Sequence, residues 1–143
     1  MYSSILFATD LSDNHFNICQ KAAEIAICFG AKLHLLHVIE PPPTLQLAQS
    51  LGFAEFDQPL PMKVDAQTVM KVLGEALNIP PEQQHVEIGS IKMKILEKVK
   101  TLSCGLIIIG SHTPSHLPAF LGSTAHAVVH HAACDVLTLR TEA

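Results

Sequence analysis

Five short apolar runs, separated by stretches with helical spacing, set the tightest limit on what this chain can become. The runs are SILFAT (4–9), KLHLLHVI (32–39), QHVEI (84–88), LIII (106–109) and VLTLR (136–140). Most lack the strict apolar–polar alternation of a sheet with one wet face, which suits strands covered on both sides. Between the first two, Ser12 is placed to cap a helix running to Phe29, with Asp13 in its first turn. Phe16, Cys19, Ala22, Ala23, Ala26 and Phe29 recur there at helical spacing, and Gly30 ends it. A second helix is expected over 63–77, stopped by Asn78 and Pro80. A third, over 91–102, places Ile91, Ile95, Val99 and Leu102 inward and Lys92, Lys94, Lys98 and Lys100 on a solvated face. A fourth spans Ser123 to Ala133. Strands alternating with helices predict an α/β fold, a doubly wound parallel sheet with right-handed crossovers.

Residues 40–62 break the pattern. Prolines 41, 42, 43, 59 and 61 bracket LQLAQSLGFAEF, which fits one short helix. No other boundary is visible, so residues 1–143 read as a single domain with a variable 40–62 segment.

Apolar residues make up 48% of the chain and charged residues 15%, a balance that supports a folded core over disorder. No run reaches the length of a bilayer span and Met1 opens no leader pattern, so a soluble, cytoplasmic protein is expected, with no membrane partner. A net charge of −4 argues against nucleic acid, which selects basic surfaces. Cys19 and Cys28 lie on one helix at a separation of roughly 13 Å, too far to bridge. Cys104 and Cys134 are isolated in sequence. All four are expected to be reduced, and buried thiols acting as small apolar groups are the plainest reading.

Doubly wound sheets bind ligands beyond the carboxyl ends of their strands, where strand order reverses. Asp10, Val38, Gly89 and Gly110 fall at or near those ends. The stretch GSHTPSHLPAFLGST (110–124) then combines Gly110, which permits close approach of backbone, with Gly122-Ser123-Thr124, which offers N–H groups and hydroxyls at a helix N-terminus.

ILFATDLS followed by GAKLHLLHVIEPP, and later IIIGSH, GST and HHAACDVLTLR, resemble the opening and the tail of the universal stress protein family. The resemblance implies five parallel strands in the order 3-2-1-4-5, usually a homodimer paired through the 136–140 strand, and in many members bound ATP or AMP. By matching positions, Ala8, Asp10 and Val38 would line the adenosine end. Gly110, Gly122, Ser123 and Thr124 would face the phosphates, and Thr113 stands where nucleotide-binding members carry glycine. The family's pattern is G-x2-G-x9-G-[ST]; here Thr113 replaces one glycine and the loop is one residue shorter. Pro114 pushes Thr113 toward extended geometry, so the middle of the loop must take another path and the cleft is degenerate.

No Lys or Arg lies between Lys100 and Arg140, so nothing stands in for a phosphate-loop lysine. A triphosphate here would rely on backbone N–H groups, Mg²⁺ and His112 or His116. Asp10 suits a ribose or adenine edge, a water-held cation, or simply a helix cap. The expected function is a stress-response binding module in which nucleotide fixes 110–124 and 40–62 and so alters the surface shown to a protein partner. A nucleotide-free dimeric scaffold is the alternative. A lesser one is a zinc site at His126 and His130, spaced i, i+4, with His112 and His116. No GxSxG, SxxK, SGGxDS or HxGH motif is present, and no catalytic residues are assigned.

Overall fold

A computed structural model describes residues 1–11, 15–41, 47, 50–52, 59–111 and 123–140. The elements are β1 (Ser4–Ala8), α1 (His15–Phe29), β2 (Lys32–Ile39), α2 (Pro59–Leu77), a 3-10 turn (Pro81–Gln83), β3 (Gln84–Ile88), α3 (Ile91–Thr101), β4 (Leu106–Ser111), α4 (Ser123–His131) and β5 (Asp135–Arg140). All four strand pairs are parallel, and the sheet order is β3-β2-β1-β4-β5. The chain leaves β1 toward one edge, through β2 and β3, then returns to β1's other side as β4. The reversal point therefore lies between β1 and β4.

β1, β2 and β4 divide their buried side chains between two cores. Ile5, Phe7, Leu33, Leu35, Leu106 and Ile108 pack with Ile18, Cys19, Ala22 and Ala26 of α1 and Met70 of α2. Leu6, Leu36, Val38, Ile107 and Ile109 pack with Ile95 and Val99 of α3 and Ala125 and Val128 of α4. Burial on both faces is why these strands carry little alternation. The helix ends follow local chemistry. Ser90 caps α3 with its hydroxyl accepting from the Met93 N–H at 3.4 Å, and Lys98 and Lys100 in the last turn suit the dipole. Gly30 turns the chain out of α1 at φ +64, and Asn78 does the same after α2 at φ 57.

Four expectations need correction. Phe16 and Phe29, placed in the core by their spacing, are about two-fifths exposed, while Ile18 is buried; Phe29 instead meets Tyr2 edge-on with ring centres 5.0 Å apart. Helix α2 begins at Pro59, ahead of the expected residue 63, because the first turn needs no N–H from its prolines. Helix α4 ends at His131. The thiols are all free, yet Cys28 is exposed and Cys134 only half-buried. In the 40–62 segment, the Leu51 N–H donates to the Leu47 carbonyl at 3.0 Å, one helical turn. Ser12 and Asp13 lie outside the described residues.

Candidate functional site

The candidate site begins where β1 stops. The Thr9 N–H continues the ladder to the Leu36 carbonyl at 2.8 Å, and Thr9 is buried although polar. Its hydroxyl accepts from the Leu11 N–H at 3.0 Å and, at 4.0 Å, from the Cys19 thiol. The Leu11 N–H bond supports a strained turn, since Leu11 holds φ 61, a left-handed conformation costing about 1–2 kcal/mol for a side chain with a Cβ. On the neighbouring strand, His37 Nδ1 sits 2.8 Å from the Thr9 carbonyl oxygen. A carbonyl only accepts, so the proton is on Nδ1. Burial pushes the Cys19 thiol up to about 12, which makes it a packing group and not a nucleophile. Thr9 thus fixes the turn that presents Asp10, an exposed residue, at the carboxyl end of the sheet.

Across the reversal point, Ala8 pairs with Ile109, so half-buried Gly110 begins one step beyond it. Val38 is 8% exposed and shares the α3–α4 core with Ala8, beneath the same end of the sheet. Helix α4 starts at Ser123, with Thr124 half-buried and Ala125 and Val128 anchoring it to the sheet. Its first N–H groups have no intrahelical partner, and the dipole there favours an anion. Of the sequence-predicted residues, the structure brings Ala8, Asp10, Val38 and Gly110 to one end of the sheet. It gives Thr124 a place in the first turn of the helix that follows β4. Thr113 and Gly122 lie outside the described residues, as do the Ser123 side chain, His112 and His116. Arg140, the chain's single arginine, is a further residue at this end, its backbone set beside Ser111 by the β4–β5 register.

Next to Val38, a polar cluster that the sequence does not announce occupies the face of β2 and β3 toward α3. Glu87 pairs in register with Val38, and its carboxylate accepts from the Lys98 ammonium at 2.7 Å. Lys98 is therefore not on the free solvated face expected for it. Close by, His34 Nδ1 and His85 Nε2 share a hydrogen bond at 3.1 Å. Burial first, then the Lys98 ammonium and His34, push His85 down to about 4, with Glu87 opposing. Burial, then Lys32 and Lys98, lower His34; the bond to Lys98 lowers Glu87.

The fold thus favours neutral histidine, while the unfolded chain takes up protons near the ordinary value of 6.5. The histidine contribution to stability is fully present above about pH 6.5 and is lost as pH falls toward about 4. Glu87, lowered too, adds a loss in the same direction at still lower pH. In full, the His85 shift is worth roughly 3 kcal/mol. Half-burial lets water screen it, so about 1–2 kcal/mol is the expected loss between pH 7 and 4.5. Urea unfolding at both pH values checks this, and His85→Gln should flatten the dependence.

Matches to known proteins agree with this architecture. Residues 1–140 match the universal stress protein family. The chain belongs to that family. One universal stress protein A homolog of Coxiella burnetii is 33% identical over 144 residues, covering 96% of each chain. A second from the same organism is 35% identical over 140 residues, covering 97% of this chain and 95% of its own. Among solved structures, a universal stress protein from Lactobacillus plantarum superposes with TM-score 0.65 at 26% identity, over 97% of this chain and 98% of the other. Another, crystallised in complex with cAMP, gives TM-score 0.70 at 16% identity over 99% and 98%, a likeness of fold alone. The family assignment fits the observed strand order 3-2-1-4-5. Among the described residues, no helix is long and apolar enough to cross a membrane.

Proposed function

We propose that this family member is a cytoplasmic stress-response binding module whose ligand is an adenine nucleotide, ATP or AMP, held at the carboxyl ends of β1 and β4. The observation that carries the reading is the convergence of Asp10, Val38 and Gly110 at the strand-reversal point, followed by the α4 N-terminus. Asp10 accepts hydrogen bonds from ribose or adenine. The Gly110 backbone approaches the phosphates, and the first amides of α4, with the Thr124 hydroxyl, receive their charge. Mg²⁺ would be needed with a triphosphate, since the described part of the site supplies no lysine. Thr113 and the shortened loop make the cleft weaker than an intact G-x2-G-x9-G-[ST] site. The role proposed is binding, and no catalytic residue is assigned.

The module would act as a homodimer, paired across the free edge of β5, with nucleotide altering the surface offered to a protein partner. Isothermal titration with ATP-Mg²⁺ and with AMP tests the binding. Saturable binding that Asp10→Ala weakens about tenfold supports the cleft. Absence of binding to either nucleotide favours the ligand-free dimeric scaffold.

A further inference from the structure

Helix α4 carries three histidines, and two of them stand on one face. His126 and His130 are one turn apart, both exposed, with ring centres 5.9 Å apart and planes inclined by only 12°. Residues at this spacing are held as neighbours by the helix itself. We propose that His126 and His130 form a two-imidazole chelating site for a borderline divalent transition ion, of the Cu²⁺, Ni²⁺ or Zn²⁺ class.

A metal–nitrogen bond of about 2.0–2.1 Å to each ring sets the ring centres roughly 5 Å apart. The metal–nitrogen bond lies in each ring's plane, so both exposed side chains must also rotate to turn one nitrogen of each ring toward the shared ion. Because the helix fixes the first ligand beside the second, the second bond forms as an intramolecular step, and the pair binds far more tightly than a lone imidazole. His131 cannot join them. It projects about 100° away around the helix, its ring lies nearly perpendicular to that of His130 at 82°, and Lys92 already places positive charge near it.

Among the described residues no group of three or more His, Cys, Asp or Glu could hold a metal. The ion is therefore bound by two protein nitrogens, and its other positions remain open to water or an external ligand. That predicts an affinity ranking set by the metal, with Cu²⁺ above Ni²⁺ and Zn²⁺, instead of the closed selectivity of a structural zinc site. The His34–His85 pair is poorly suited to a cation: His34 is buried and His85 half-buried, and the two rings are bonded to one another beside the Lys98 ammonium.

The test uses the full chain without a histidine tag and without nucleotide, titrated with NiCl₂ by calorimetry and with CuCl₂ by electron paramagnetic resonance. The expected result is one Ni²⁺ per chain and a Cu²⁺ spectrum with coupling to two nitrogens. His126→Ala and His130→Ala should each weaken Ni²⁺ binding about tenfold or more, while His131→Ala leaves it within about twofold. Far-ultraviolet circular dichroism on the exposed-site variants confirms that they remain folded. No saturable uptake by the wild type, equal affinity after His126→Ala, or loss on His34→Ala or His85→Ala instead would overturn the assignment. Since only the metal is added, this outcome is independent of whether the nucleotide cleft is filled.

Discussion

Phe7→Ala is expected to lower the free energy of unfolding by about 3–5 kcal/mol, measured by urea denaturation. Phe7 is fully buried at the centre of β1, in register with Leu35 on one side and Ile108 on the other, beneath α1. Removing the ring leaves a cavity walled by strands on both sides, which cannot collapse without shifting the sheet. Against a usual total of about 5–15 kcal/mol, such a loss leaves little margin. Phe16→Ala provides the contrast. That ring is 40% exposed, and its removal should cost no more than about 1–2 kcal/mol. Equal costs at the two positions would show that the orientation of α1 has been misassigned.

Thr9→Val is the second large effect, at about 1–3 kcal/mol. Valine keeps the shape but deletes the oxygen that receives the Leu11 N–H, leaving the left-handed turn at Leu11 without its support. Thr9→Ser restores the hydroxyl and should recover most of the stability. The pair also links fold to site, because the same turn carries Asp10. Thr9→Val should therefore lower nucleotide affinity as well as the melting temperature, whereas Phe16→Ala should not touch affinity.

How far the sequence carried the reading depended on whether a signal was local. The β2 and β3 strands and their limits were legible because KLHLLHVI and QHVEI are bounded by Gly, Pro and Asn on a scale of a few residues. Element order then sufficed to put Asp10, Val38 and Gly110 at one end of the sheet. Pairing across distance was not legible. His34 and His85 are 51 residues apart, and each looks like an ordinary polar residue in an apolar run until the β2–β3 register joins them. The polar face of its helix points Lys98 to water, while its partner Glu87 lies on a strand eleven residues earlier, with no local signal joining the two. Thr9 looked like the last residue of β1, since its role depends on the φ of Leu11, which no residue type reveals. Helix α2 reaches back to Pro59, ahead of the expected residue 63, because a helix's first turn accepts proline and residue type alone does not mark that start.

The central claim, a nucleotide cleft at the junction of β1, β4 and α4, is tested most directly by amide chemical shifts. ¹⁵N-labelled protein titrated with ATP-Mg²⁺ should show saturable changes at Ala8, Asp10, Gly110 and Thr124, with the amides of β3 and the middle of α1 unmoved. Unchanged resonances at those four positions through millimolar nucleotide, or changes centred on β3 instead, would contradict it.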